Sequence, residues 1–313
     1  MALSLCAGIA ANTGGIDCDV APGVPAQFAV WSGKILPSTY NSADAIQVAF
    51  EQAALLPNSD ANKLFMFPII QEVADNTEAN TEGTLGLGFK TIIREGRQAY
   101  TFKAFAGIAQ VKNLRKFNNT TIPIIVFDSN NRIWGASVAN NFVGAKARVF
   151  VSGLKFANGQ AIEEGVVSIT ISFLDPKVST DNAAFLEISN TSSMQGMNDV
   201  KLIEFAAHAS NVYKIQAYVP TGEMGVGINL ADTYAAALTV GAWYAKTGVG
   251  YGTPLTITSV VASAPGWNVT LDSTAYTALA AGATIKIGLV DPSVLNTTYS
   301  VTGLEAIPII VTK

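Results

Sequence analysis

The chain has 313 residues, of which only 13% are charged, and a formal net charge of −4. That length suffices for one large or two ordinary domains, and the acidic balance argues against a duplex DNA binder, which needs a basic face. The hydrophobic fraction is 49%, but no run of about 20 mostly apolar residues is present, so we expect no membrane partner.

Residues 1–40 are rich in Gly, Pro, Asn and Ala, and they are predicted to form an N-terminal arm with one or two short strands. No Lys or Arg precedes Lys34, so the basic region of an export signal is missing and we expect no export. Cys6 and Cys18 lack the spacing of a metal or redox motif. They are interpreted as inert thiols, with a local disulfide as the alternative.

Residues 41–180 are predicted to form a β-sandwich or open barrel with one flanking helix. Ser42 is a suitable N-cap for a helix over residues 42–56, because Asp44 lies in the first turn and Pro57 follows the end. Strands are predicted where apolar residues run together or alternate with polar ones, over residues 64–73, 100–106, 122–127, 149–154 and 167–173.

The charged residues are unevenly distributed: 12 of the 42 charges (19 basic and 23 acidic) lie between residues 72 and 116. They are sorted by sign, with Glu95 the one acid in the basic part: Glu72, Asp75, Glu78 and Glu82, then Lys90, Arg94, Arg97, Lys103, Lys112, Arg115 and Lys116. We predict a hairpin over residues 72–103. The charges fit pairing within one subunit and pairing between copies equally well, and in the second case they would fix the register of the copies.

Residues 181–313 are predicted to form a smaller, β-sandwich-like accessory domain at the C-terminus. A second helix is predicted over residues 231–245. Short strands separated by Gly- and Pro-containing turns are predicted over residues 214–219, 255–261, 267–271, 284–290, 298–301 and 307–311.

Residues suited to catalysis are few. His208 is the only histidine, and its apolar context predicts a packing residue. Gly83, Gly86 and Gly88 do not follow the order of a dinucleotide fingerprint and are predicted at the hairpin tip. Residues 163–164 are adjacent glutamates, which would point to opposite faces of a strand and form a poor acid–base pair. We therefore expect a protein that is not an enzyme and has no cofactor, metal or catalytic site.

Aromatic residues interleave with the basic part of the charged segment, as on surfaces that bind single-stranded nucleic acid. They are Tyr100, Phe102, Phe105 and Phe117. We interpret them as core residues of an alternating strand, since the preceding acids would repel phosphates.

This organisation resembles that of the phage tail tube proteins, which combine a β-sandwich, a flanking helix, a long polar hairpin and an N-terminal arm. The resemblance covers roughly residues 1–180 and rests on the helix over 42–56, the hairpin over 72–103 and the strands over 121–128 and 168–175. Some members carry an additional outer β-sandwich, which suits residues 200–313.

The resemblance implies a structural virion protein that assembles with itself in the host cytoplasm into stacked rings, usually hexameric. Other virion proteins would be partners, and DNA would be transported cargo. In that family the lumen is commonly acidic. The candidates for lumen or ring-stacking positions are therefore Glu72, Asp75, Glu78 and Glu82, and the candidates for partners across an interface are Lys90, Arg94, Arg97 and Arg115.

Three alternatives remain open from the sequence. A capsid or head-decoration protein also has an arm and an extended hairpin, but the common tailed-phage capsid fold needs a long spine helix that the pattern does not predict. A carbohydrate-binding or adhesin module fits the short strands and the four tryptophans, but would require export. A hydrolase is the least supported.

Overall fold

A computed structural model describes residues 23–84, 90–153, 166–175, 182–191, 196–220 and 227–313. Strands account for 51% and helices for 19%, so the predicted mainly β class is confirmed. The chain divides into two compact units, of which the first comprises Met1–Ala54 and Asn58–Gly196 and the second Met197–Lys313 together with Leu55–Pro57. This division falls after the predicted one at 180/181, because a strand over residues 183–187 joins the sheet of the first unit.

The first unit contains thirteen strands and two helices within its described residues. In chain order they are β1 (Pro25–Trp31), β2 (Lys34–Ile35), α1 (Ala43–Ala54), β3 (Leu64–Met66), β4 (Ile70–Asp75), β5 (Thr81–Thr84), β6 (Lys90–Arg94), β7 (Ala99–Phe105), α2 (Ile108–Leu114), β8 (Thr121–Asp128), β9 (Arg132–Val138), β10 (Asn141–Val143), β11 (Ala145–Val151), β12 (Val166–Phe173) and β13 (Ala183–Glu187).

Eleven of these strands form one sheet, and β5 and β6 form a separate pair. The order of the main path is β2-β10-β9-β8-β11-β12-β7-β4, while β1 pairs with β3 and β8, and β13 pairs with β9. β1 and β2 lie in the predicted arm. β1 nevertheless pairs with β8, and its residues 28–31 are at most 5% exposed, so this part of residues 1–40 belongs to the core. Residues 1–22 of the predicted arm lie outside the described residues.

The predicted flanking helix is present as α1. The Ser42 hydroxyl accepts a hydrogen bond from the Ala45 N–H at 3.2 Å, which satisfies one of the free donors of the first turn. α1 buries Ile46 and Phe50 against one face of β1 and β8, while Phe28 and Ile124 of those strands belong to a second apolar cluster. β1 and β8 are therefore buried on both faces, which accounts for their nearly continuous apolar sequence.

Period-two patterns correctly placed two neighbouring strands of the sheet. In β12 residues 167, 169, 171 and 173 are buried, as predicted, and in β7 Phe102 and Ala104 are buried while Phe105 is exposed. The single strand predicted over residues 64–73 is wrong. The structure has two strands there, β3 and β4. The Phe67 N–H still donates to the Phe28 carbonyl oxygen, but Pro68 has no N–H to continue the ladder, so β3 ends at this point.

The second unit is a sandwich of two sheets, as predicted. Its elements are β14 (Asn198–Ala209), β15 (Val212–Val219), β16 (Ile228–Asn229), α3 (Ala231–Tyr234), β17 (Trp243–Thr247), β18 (Thr253–Leu255), β19 (Ile257–Ser263), β20 (Gly266–Leu271), α4 (Ser273–Ala278), β21 (Thr284–Leu289), α5 (Pro292–Tyr299), β22 (Leu304–Ile307) and β23 (Ile309–Thr312). One sheet has the order β19-β20-β15-β14-β22, with β16 beside β15, and the other β18-β17-β21-β23. Tyr213 and Trp267 from the first sheet share one core with Trp243 and Ile287 from the second.

Three predictions for the second unit are wrong. The single strand predicted over residues 255–261 is interrupted at Thr256, and its two parts belong to β18 and β19 in different sheets. The helix predicted over residues 231–245 stops after one turn, and β17 begins at Trp243. Residues 239–241 (Thr-Val-Gly) favour helix weakly, and burial of Trp243 and Ala245 against the other sheet decides the outcome. The strand predicted over residues 298–301 is largely the end of α5, which Asp291 and Pro292 begin as N-cap and first residue.

Candidate assembly surface

The predicted hairpin is present, and its strands continue beyond the edge of the large sheet to which β4 and β7 belong. We call residues 70–105 the charged hairpin. β4 and β7 pair inside the sheet, the Asn76 and Glu78 N–H groups donate to Ala99 and Arg97 at 2.8 and 2.9 Å, and β5 and β6 then pair with each other. The nine residues 76–84 can span at most about 32 Å. The tip, residues 85–89 with Gly86 and Gly88, lies outside the described residues.

Three of the four predicted acids pair with bases of the same chain. Glu72 contacts Lys103 at 2.8 Å, Glu78 contacts Arg94 at 3.2 Å and Glu82 contacts Lys90 at 3.1 Å. The six side chains are between 43% and 75% exposed, and exposed pairs contribute roughly 0–1 kcal/mol each. The pairs therefore fix the register of the hairpin more than they stabilise the fold. Of the two predicted arrangements, these six residues follow the one in which the charges pair within a subunit.

The other predicted residues are placed differently. Arg97 is exposed, and its guanidinium has no ion-pair partner among the described residues. Its backbone carbonyl accepts the Glu78 N–H. Arg115 is exposed on the turn that follows α2, outside the charged hairpin. Arg97 is thus the basic residue of the hairpin whose charge the chain itself leaves uncompensated within the described part.

Asp75 lies opposite Tyr100 at the end of the β4–β7 pair. The Thr77 hydroxyl and the Thr77 N–H, which donates to Oδ1 at 2.8 Å, hold the pKa of the Asp75 carboxyl below its usual range. Burial, and secondarily the charge of Asp75, raises the pKa of the Tyr100 phenol. Asp75 is therefore anionic at neutral pH, and Thr77 rather than a base is its partner.

Two features of the hairpin were not predicted from the sequence. Gly96 is buried where the two sides approach, and a Cβ built on it would lie 1.8 Å from the carbonyl oxygen of Glu78. Ile92 and Ile93 are 54% and 70% exposed although they are large and apolar. The need for glycine at position 96 could be recognised only once the strand register was known. The two isoleucines at 92–93, in contrast, stand out in the sequence as an apolar pair between charged residues.

The sheet beside the hairpin has a polar outer face. It spans β4, β7, β12 and β11, where the Thr101 hydroxyl accepts from the Asn76 amide at 2.7 Å and lies 3.0 Å from the Thr170 hydroxyl. Its outward residues are Glu72, Ala74, Thr101, Lys103, Phe105, Lys146, Arg148, Phe150, Val166, Ser168, Thr170 and Ser172. One acid and three bases lie there, so this face is not acidic.

The opposite face of these strands lines an apolar cavity of about 210 Å³ in the first unit. Tyr100, Phe102 and Trp134 contribute to its wall, as does Asp128. The Asp128 carboxylate accepts hydrogen bonds from four N–H groups, those of Gly23, Asn130, Arg132 and the Trp134 indole, at 2.7–3.0 Å. Asp128 is thus fully engaged in holding the β8–β9 turn.

The predicted aromatic residues divide between core and surface. Phe102 is 2% exposed and Phe117 packs against Phe65 and Phe67, which agrees with the core interpretation, whereas Phe105 is 55% exposed. In the second unit, His208 stacks on Tyr213 with 4.6 Å between ring centroids, and its Nδ1 lies 3.0 Å from Glu204. His208 is therefore a packing residue with a polar partner.

Comparisons with protein-family models, with curated proteins and with solved structures found no match for this chain. Within the described ranges, no helix has the length and apolar character needed to cross a membrane. Nor does the described part contain three or more His, Cys, Asp or Glu side chains grouped as metal ligands. The charged hairpin is accordingly the feature on which a functional conclusion rests.

Proposed function

We propose that the chain is a structural virion protein that assembles with copies of itself into stacked rings, forming a phage tail tube through which DNA passes. The observation that carries the proposal is the charged hairpin. It is a two-stranded element whose outer strands β5 and β6 pair only with each other among the described strands. All five residues of β6 are exposed.

A two-stranded hairpin is at best marginally stable alone in water. No further described strand pairs with the outer edge of β5 or of β6. The backbone groups along such edges are a template for strands of another chain. Exposed Ile92 and Ile93 add apolar area on both sides of β6, because neighbouring residues of a strand point in opposite directions. If the hairpin were buried against a neighbouring copy, the strand edges would gain backbone partners and the two isoleucines would be removed from water.

The ion pairs within the chain reduce the number of charged residues that are available for contacts between copies. Lys90, Arg94 and Lys103 are compensated within the chain, so among the bases of the charged hairpin Arg97 is the one best placed to meet an acid of another copy. A lumen lined by Glu72, Glu78 and Glu82 would carry little net charge for the same reason. In this proposal DNA passes a surface of paired charges and hydroxyl groups.

Charge reversal at one exposed position tests the proposal. Arg97→Glu removes no ion pair between described residues, so the subunit is expected to fold normally. Assembly, followed by sedimentation velocity, is expected to be lost. Lys34→Glu is the matched control, because Lys34 is an exposed base on β2, outside the hairpin. Equal assembly of the two variants would contradict a role for the hairpin between subunits.

A capsid subunit is the second candidate, since an extended hairpin serves that role as well. The longest helix in the described part is α1, with 12 residues, which falls short of the long spine helix expected in a capsid protein. Electron microscopy separates the two candidates, because a capsid protein closes into shells and a tail tube protein forms open rings or tubes.

A further inference from the structure

Two lysines face each other on the outer side of the second unit. In the β17–β21 register Lys246 lies directly opposite Lys286. The neighbouring strands extend this row with Pro254 and Ile310, which are uncharged. Like charges directly opposite in a sheet are destabilising. A chain with only 19 basic residues has thus placed two of them in an unfavourable pair.

Among the described residues, no acid forms an ion pair with either lysine, and the Asp291 charge acts on the neighbouring Tyr244. Neither Lys246 nor Lys286 forms an ion pair with any described residue; each lies near a tyrosine ring instead. The Lys246 Nζ is 5.3 Å from the ring centroid of Tyr244, and the Lys286 Nζ is 5.9 Å from that of Tyr251. The rings hold the ammonium groups by cation–π attraction without neutralising them.

Tyr244 completes the arrangement. Its ring lies against Gly288, where a Cβ would come within 2.6 Å of ring atoms, so the glycine leaves room for it. Burial and the charge of Asp291 raise the pKa of the Tyr244 phenol. The phenol therefore stays protonated at neutral pH and can donate a hydrogen bond to an anion.

We propose that Lys246, Lys286, Tyr244 and Tyr251 form a binding site for an anionic carbohydrate, a sugar that carries a carboxylate, sulfate or phosphate group. One anionic group placed between the two ammonium groups removes their repulsion and forms charge-assisted hydrogen bonds to both. The tyrosine rings and the flanking Pro254 and Ile310 offer apolar contacts for the sugar ring. The site is independent of tube formation.

A sugar suits the site better than a nucleic acid. A duplex presents closely spaced phosphates and is bound by many cations on one face. From Met197 to the C-terminus the chain has five bases and seven acids, and only two of these bases share this row. The small cationic centre with aromatic neighbours fits one anionic group on a partly apolar ligand.

The first test uses inorganic sulfate as the probe on the full-length chain. Millimolar sulfate is expected to raise the melting temperature of the second unit by about 3 °C over sodium chloride of equal ionic strength. Lys246→Gln and Lys286→Gln should each lose most of this increment, and Lys214→Gln, on the other sheet of the sandwich, should keep it. Equal increments in all four proteins would overturn the site.

The second test identifies the ligand class by titration calorimetry with heparin, neutral dextran and duplex DNA. Heparin is expected to bind the wild-type chain at least about tenfold more tightly than the Lys246→Gln/Lys286→Gln double variant. Dextran should not bind, and DNA should bind more weakly than heparin. If DNA bound as tightly as heparin with the same loss in the double variant, the carbohydrate assignment would be wrong.

Discussion

At position 96, the absence of a side chain lets two backbone segments of the charged hairpin approach within contact distance. Alanine there would place a Cβ 1.8 Å from the Glu78 carbonyl oxygen, so the strands must separate. We expect Gly96→Ala to open the hairpin, with overpacking of this kind costing about 1–3 kcal/mol locally. The Arg94 and Arg97 side chains are already exposed, but the paired backbone beside them would become free to enter the trypsin active site, so cleavage after both residues should become faster.

Limited proteolysis followed by mass spectrometry measures this effect. Gly107→Ala is the matched control, because a Cβ at Gly107 meets nothing within 4 Å. Unchanged protection of the two arginines in Gly96→Ala would show that the close approach at this position is unimportant.

Asp75 offers a residue-scale test by pH titration. Its carboxyl pKa is lowered in the folded chain by Thr77, so any contribution to stability is present above the unfolded pKa of about 3.9 and is lost as pH falls through the folded value. In Thr77→Val the hydroxyl is gone while the N–H remains, and the Asp75 pKa should rise towards the ordinary value. Carbon-detected NMR of the carboxyl group measures it; an identical titration in both proteins would exclude the Thr77 hydroxyl as the cause.

At the scale of elements, Phe50 is the one aromatic side chain among the buried residues of the helix α1, which also include Ile46 and Ala54. Phe50 is fully buried, and its ring lies 5.0 Å from that of Trp31 and 6.4 Å from those of Phe127 and Phe142. We expect Phe50→Ala to lower the free energy of unfolding of the first unit by about 3–5 kcal/mol.

Urea denaturation measures that loss. Val48→Ala on the same helix is the control, because Val48 is 48% exposed and should cost less than about 0.5 kcal/mol. Similar losses for the two variants would mean that α1 does not pack through Phe50.

The sequence patterns predicted elements well where one face of a strand meets the core and the other meets water, as in β7 and β12. They failed where an apolar run fits helix and strand alike, as at residues 231–245, because contacts with a distant sheet decide between the two. The place of β1 beside β8 depends on pairing between residues about 100 positions apart, which no local pattern contains.

The candidate sites differ in the same way. The charged hairpin was predicted because its charges are sorted along neighbouring strands. Gly96 and the Lys246–Lys286 pair were not, because both depend on which residue lies opposite which. The helix predicted over residues 231–245 also placed β17 in the wrong kind of element, which concealed that Tyr244 and Lys246 share a strand face.

At the scale of the whole molecule, we expect the hairpin to be dispensable for folding of the subunit and necessary for assembly. The Asn76 N–H already donates to the Ala99 carbonyl oxygen at 2.8 Å, so β4 and β7 can be joined by a two-residue Asn-Gly turn that replaces residues 77–98. The apolar clusters of the first unit contain none of the deleted residues. The shortened chain is therefore expected to fold.

Negative-stain electron microscopy of the purified full-length chain beside this shortened variant tests the central claim most directly. We predict rings or stacked tubes for the full-length chain and dispersed monomers of unchanged circular dichroism for the variant. A full-length chain that remains monomeric, or a variant that forms the same tubes, would contradict the account.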